Sequence, residues 1–423
     1  MKTEKKILSK EVISWAFYDW ANSAFATTVI AGFFPIFFKS FWASNLSDVE
    51  STALLGISNS LSGFFILLFA PFLGALADIT YKKKFMLIFF MLIGAVSTAA
   101  FFYIDQGNWM IAIGAYILAT IGFSGGNIFY DSLIIDVSEQ ESRNRVSAFG
   151  YAMGYLGGGL LFVINVLMFL QPNYFGLNSQ VDAVLFSFLS VAIWWSLFTT
   201  PLIKFVKEKK GENLPPFVWQ AVKNSVSRVF NTFKEIRKYK NLFYFLLAYW
   251  LYMDGIDTVV RIALAFGTDI GLVSSQLIIA LIITQFVGFP STIIFGLLAE
   301  KYGLKLLLYI GIGIYISICF GGLMISSISG FYLMAGVIGL VQGGVQSVSR
   351  TIFSRLIPEE KATEFFGFYN LIGKSAVVVG PALVGWMAYI FNNPKAGIIS
   401  LLLLFIPGIL ILFYVPRTSL VRD

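Results

Sequence analysis

Apolar residues in this chain run in long blocks broken by short charged patches, and that spacing limits the fold more than any other feature. Each block approaches the roughly 20 residues that a helix needs to cross a bilayer. Backbone inside lipid must satisfy its own hydrogen bonds, so a helix is the conformation such a block can adopt. Twelve blocks can be read, at 13–38, 51–76, 85–104, 109–134, 146–170, 182–206, 242–267, 275–299, 304–325, 330–352, 364–391 and 396–415. Only 13% of residues are charged, against about 25% in soluble domains, too few to cover a water-facing surface. The sequence predicts an all-α membrane protein with twelve transmembrane helices. The first block is too long for a signal peptide, contains Asp19 and Asn22, and has no convincing cleavage site.

The basic residues give orientation. Of 30 Lys and Arg, 26 fall on one alternating side or at the termini. Lys39 and Lys395 lie on the other side, and Arg261 and Lys374 within spans. The positive-inside rule then places both termini in the cytoplasm, and the expected location is a bacterial cytoplasmic (inner) membrane. The net charge of +7 is thus a topology signal, with membrane lipids rather than nucleic acid as the expected neighbours.

The longest polar stretch, 207–240, separates two six-span blocks, 1–206 and 241–423. Val218, Val222, Val226, Val229, Phe233 and Ile236 recur at helical spacing between lysines and arginines. This suits a basic amphipathic linker, either on the inner membrane surface or packed on the protein. An internal repeat supports two halves. Gly74-Ala-Leu-Ala-Asp78 precedes Lys82–Lys84, and Gly296-Leu-Leu-Ala-Glu300 precedes Lys301 and Lys305, 222 residues later. Gly125-Gly126 and Gly343-Gly344 pair at 218 residues. Duplicated six-helix halves are a mark of secondary transporters.

Several chemistries fall away. There is no histidine, and Cys319 stands alone, which removes histidine-based catalysis and zinc ligation, and intrachain disulfides. Gly367–Ser375 (GFYNLIGKS) has five residues between its glycine and GK where a P-loop needs four. No catalytic residue, metal or cofactor is expected, and the chain does not read as an enzyme.

The element Gly74–Lys84 resembles the loop 2–3 signature of the major facilitator superfamily, and Gly296–Lys305 sits where that superfamily repeats it. The string from Ser14 to Phe25 (SWAFYDWANSAF) looks like the opening of a branch related to the vacuolar amino-acid effluxers of autophagy. Tyr252-Met-Asp254-Gly255, Gly373-Lys374 and Gly380-Pro381 also resemble that branch. The chain departs from the drug–proton antiporter pattern: span four lacks its basic element and span five its proline. The resemblance implies a monomeric secondary transporter for a small-molecule substrate, amino acids first, with a proton or ion as candidate co-substrate. It also implies that Asp78 holds an inner gate shut against the start of span eleven, and Glu300 against span five.

Ionisable groups deep in a bilayer are costly, so each is a candidate site residue. Asp254 lies ~18 Å into span seven and Lys374 ~15 Å into span eleven, depths that let them neutralise each other or a zwitterion. Asp257 and Arg261 share Asp254's helix face. Asp19, Asn22 and Asp131 are candidates in the first half, either for substrate or proton or for pairing with Arg143 or Arg145 at the inner gate. Gln342, Gln346 and Arg350 form a stripe suited to a cavity wall or, for Arg350, the inner interface. Gly150, Gly154 and Gly158 predict close helix packing on span five. Trp15, Trp42, Trp109 and Trp386 are expected at the membrane interfaces, and most phenylalanines at lipid. Two competing functions remain open at this point: a lipid or lysolipid flippase, and a non-transporting receptor or assembly factor on a transporter-like scaffold.

Overall fold

The computed structural model describes residues 9–208, 239–269, 271–325, 327–375, 379–391 and 394–416, with 224, 225, 227 and 229. Among them every regular element is a helix. The first six are α1 (Lys10–Trp42), α2 (Asp48–Thr80), α3 (Lys83–Ala100), α4 (Trp109–Ser132), α5 (Arg143–Leu170) and α6 (Gln180–Phe205). Then come α7 (Lys240–Asp269), α8 (Ser274–Tyr302), α9 (Leu304–Gly322) and α10 (Ile328–Leu356). The expected eleventh span is described in two parts, α11 (Ala362–Ser375) and α12 (Val379–Ile390), with 376–378 outside the described residues. In place of one twelfth span the structure has α13 (Pro394–Ser400) and α14 (Leu402–Leu412).

Among the described residues nine helices are long and apolar enough to cross a membrane, so the protein is a multi-pass integral membrane protein. Although α7 has the length, with 30 residues, Asp254, Asp257 and Arg261 interrupt its apolar run. The expected linker helix at 207–240 lies almost wholly outside the described residues.

Serine caps start several helices, as lipid-facing helix ends require. Ser9 Oγ accepts Val12 N–H at 3.2 Å, Ser179 Oγ accepts Asp182 N–H at 3.0 Å, and Ser327 Oγ accepts Gly330 N–H at 3.2 Å. Ser47 and Glu50 form a reciprocal capping box at α2. At the end that carries the basic loops, lysines close helix C-termini. Lys84 Nζ donates to the carbonyls of Ile203 (2.9 Å) and Val206 (2.6 Å) at the end of α6. Lys305 Nζ donates to those of Phe413 (3.3 Å) and Val415 (2.7 Å) just past α14. The two lysines are 221 residues apart, close to the sequence repeat. Glu208 completes the first of these joints, accepting the N–H groups of Lys83 (3.0 Å) and Lys84 (2.7 Å).

Two expectations about side chains hold only in part: Trp386 is exposed, but other tryptophans are not. Trp15 and Trp42 are fully buried; their indole N–H groups bind the carbonyls of Tyr130 (2.9 Å) and Ile104 (3.0 Å). A buried N–H with a partner has no need of the interface. Many phenylalanines are likewise internal. Phe34, Phe37, Phe38, Phe101 and Phe188 pack with Trp42 and Tyr116 at the far end of the first half.

The glycine stripe packs as expected. A Cβ at Gly150 would strike Trp15, at Gly154 Ser23 and Asp19, and at Gly158 the Ser23 backbone, so α5 lies directly on α1. The two halves meet through α2 on α11, and α5 on α8 and α10. If α8 repeats α2 and α11 repeats α5, then α2–α11 and α5–α8 are the same contact made twice.

Candidate functional site

The halves are joined at their basic end. The carboxylate of Asp78, in the last turn of α2, is buried at 6% exposure. Its Oδ1 accepts the N–H of Thr363 at 3.1 Å, and its Oδ2 that of Glu364 at 2.9 Å. These are unsatisfied donors at the start of α11, where the helix dipole also favours an anion. Gly74, one turn earlier, lies so close that a Cβ would enter the Thr363 carbonyl. Thr363 Oγ1 donates to Ser132 Oγ at 3.2 Å.

On the other side of the same end, Arg145 at the start of α5 forms a bidentate pair with Glu300 at the end of α8. Asn144 Nδ2 donates to the Gly296 carbonyl at 2.7 Å. Arg143 donates to the Ser354 carbonyl at 3.1 Å and to Glu359 at 3.0 Å. The two latches differ physically. The side chains of Arg145 and Glu300 are 39% and 37% exposed, so water screens that pair; Asp78 is not screened in this way.

Further in, the halves meet at Arg350 of α10, which is 1% exposed. Its NH1 pairs with Asp131 Oδ1 at 2.9 Å, its Nε donates to Ser147 Oγ at 2.9 Å, and its NH2 to the Ser147 carbonyl at 2.9 Å. Three aromatic rings of the first half surround the guanidinium carbon: Tyr151 at 4.2 Å, Trp15 at 5.0 Å and Tyr130 at 5.5 Å. Asp131 Oδ2 also accepts an N–H of Asn370 from α11 at 3.2 Å. Asp19 is one residue removed: its Oδ2 accepts the Tyr130 hydroxyl at 3.3 Å, and its Oδ1 the Ser23 hydroxyl at 3.2 Å. Asn22 is tied to Asn127 of α4. Pairing of Asp131 with Arg143 or Arg145 was one expectation. The structure instead gives Asp131 to Arg350, because both α5 arginines sit nearer the basic end and reach acids and carbonyls of the other half.

The second half holds a different arrangement. Asp254, 1% exposed, accepts the Gly380 N–H on both carboxylate oxygens, at 3.0 and 2.9 Å, and the Thr258 hydroxyl at 3.4 Å. Asp254 thus takes a backbone N–H directly before Pro381, a residue that has none of its own. Mutual neutralisation with Lys374 was expected, but the described partners of Asp254 are backbone and hydroxyl donors. The side chain of Lys374 lies outside the described residues. Asp257, one turn further along α7, is half-buried, and Arg261 is exposed. Gln342 and Gln346 are half-buried on the α10 face that ends in Arg350. The sequence singled out Arg350 but missed its receptor. Trp15, Tyr130 and Tyr151 are ordinary membrane aromatics until α1, α4 and α5 are packed together. Gly367–Ser375 is helical in α11, which fits packing and not a phosphate loop.

A family model described as "Vacuole effluxer Atg22 like" matches residues 41–137 and 135–423. A protein of Bacillus subtilis (strain 168) named "Uncharacterized MFS-type transporter YxiO" is 39% identical over 416 residues, covering 98% of this chain and 96% of its own length. Autophagy-related protein 22 of Vanderwaltozyma polyspora is 25% identical, covering 90% of this chain and 86% of its own. Among solved structures, the major facilitator proton:xylose symporter XylE superposes with a TM-score of 0.71 at 14% identity, covering 97% and 95% of the two chains. The Bacillus relative is named as a transporter and the family as an effluxer, and neither name is that of an enzyme. The fold is that of the major facilitator superfamily, to which the name of the Bacillus relative also points, and by the family model the chain belongs to the Atg22-like vacuole effluxer family.

Proposed function

We propose that this protein is a twelve-span, two-repeat secondary transporter that exports a small polar metabolite, an amino acid or close derivative first, by alternating access. The observation that carries the reading is the closure of the two halves at one end. Asp78–α11, Arg145–Glu300, Arg143–Glu359 and Arg350–Asp131 all cross between the halves, and all must break if that end opens. Contacts that exist in only one of two states are what a ligand or ion gradient can act on. Export is supported by the effluxer description of the family, and a proton as co-substrate by the naming of XylE as a proton symporter.

The protein acts as a monomer in the bacterial cytoplasmic membrane, with the basic end and both termini in the cytoplasm. Asp78, Glu300, Arg143 and Arg145 form the inner gate. Asp19, Asn22, Asp131, Asp257, Arg261, Gln342, Gln346 and Lys374 remain the candidates for substrate and coupling ion, and Asp254 holds the Gly380 N–H beside them. The test is counterflow and gradient-driven uptake of neutral amino acids into proteoliposomes. Uptake that responds to a pH gradient supports the reading. Failure to move any amino acid or derivative, in protein that is folded and inserted, sinks the substrate assignment.

A further inference from the structure

Arg350 occupies a receptor built almost entirely by the other half of the molecule. Three acceptors meet its N–H groups: the Asp131 carboxylate, the Ser147 hydroxyl and the Ser147 carbonyl. Three aromatic faces, those of Trp15, Tyr130 and Tyr151, enclose its charge. Trp15 and Tyr130 are themselves stacked at 4.5 Å, and the Trp15 indole is fixed on the Tyr130 carbonyl, so the cage is rigid. A second carboxylate, Asp19, backs it through the Tyr130 hydroxyl. Aromatic faces with a nearby carboxylate form the chemistry that recognises organic cations, and the three acceptors match the three donors of an ammonium group.

If the basic end opens, Arg350 leaves with α10, and the first half faces the cavity with the cage, Asp131 and Asp19. Two neighbouring buried carboxylates are unfavourable without a cation or a proton. We propose that this cage is a cation-binding subsite of the transport cycle, taking a substrate's guanidinium or alkylammonium group when Arg350 withdraws and yielding it when Arg350 returns. Arg350 is then a tethered stand-in for the substrate's positive group, and closing the gate displaces the cargo. This rests on the alternating-access reading and adds to it a substrate class, organic cations and amino acids bound by their positive end.

The test measures binding, so that it does not depend on transport. Full-length protein in detergent is melted with methylammonium or methylguanidinium, with sodium as the control ion. Arg350→Ala empties the cage directly. Asp78→Asn keeps Arg350 but releases the gate, and it decides the matter if the first variant does not fold. The expected result is stabilisation of both variants by the organic cations and not by sodium, beyond that of the unsubstituted protein. Adding Asp131→Asn or Tyr151→Ala should weaken half-saturation at least ~10-fold, or ~1.4 kcal/mol. No organic-cation stabilisation in a folded variant overturns the proposal. So does stabilisation that survives Asp131→Asn, or stabilisation by acid pH alone, which would give the vacated acids to a proton. Amino-acid uptake by the same preparation without cation binding removes only this inference; cation binding without any uptake removes the transport reading instead.

Discussion

Asp78 and Asp254 make the same kind of bond to α11 and α12, yet they should behave differently when neutralised. Both carboxylates are buried and both take backbone N–H groups. A hydrogen bond to a charged group contributes about 1.5–3 kcal/mol. Asp78 reaches across the two halves, so Asp78→Asn should shift the open–closed equilibrium by ~10-fold or more toward the state open at the basic end. A cysteine placed beside Asp131 would then react faster with reagents added from that side; an unchanged rate in folded protein rules Asp78 out of the gate. Asp254 and Gly380 belong to the same half, so Asp254→Asn should lower the melting temperature and leave that reaction rate unchanged. A raised rate would show that α12 moves with the gate. The family resemblance made Asp78 a gate candidate. Asp254 was legible as a charge deep in its span, but its partner was not, because the Gly380 N–H that it accepts lies 126 residues away.

At the scale of elements, α2 and α11 approach at Gly74 and Gly367, where a Cβ would enter the Thr363 carbonyl in the first case and the Ala70 carbonyl in the second. Gly74→Val should therefore overpack this contact, at a cost of typically 1–3 kcal/mol. The cost falls on the closed state alone, so the expected outcome is basic-end accessibility like that of Asp78→Asn, with little loss of thermal stability. A collapse in melting temperature without that change would mean the contact holds in every state. Gly154→Leu is the contrast. Its clash is with Ser23 and Asp19 of the same half, so it should destabilise the protein whichever way the gate stands. The packing role of the α5 glycines was legible in the sequence, because helix periodicity alone puts Gly150, Gly154 and Gly158 on one face. The partner of the Gly380 N–H was not legible, because Asp254 belongs to another helix and local sequence carries no record of it.

Of the contacts that hold the halves together at the basic end, the two latches made by Asp78 and by Glu300 are of unequal kind. Twelve apolar blocks, the basic bias and the repeated G-x-L-A-acid element made the membrane fold legible, because those signals are periodic or summed over many residues. The cross-half meeting of Arg350 with Asp131 was not, because pairing across 219 residues leaves no local pattern. In the proposed cycle both latches open together, so they bias one equilibrium although they share no atom. The α2–α11 latch is buried and the Arg145–Glu300 pair is half in water. An exposed pair is worth about 0.2–1 kcal/mol and weakens with salt. Glu300→Gln alone should consequently raise accessibility beside Asp131 only a few-fold, and less at high ionic strength, while Asp78→Asn should act strongly and change little with salt. In the double variant the free-energy shifts should add until the open state dominates, since distant contacts with no shared partner are additive and only their sum sets the population. Reaction rates measured for the four proteins at two salt concentrations give that sum directly. If the double variant instead matches Asp78→Asn while its rate is still far from saturation, the two sides of the basic end open independently, and the halves do not rock as rigid bodies.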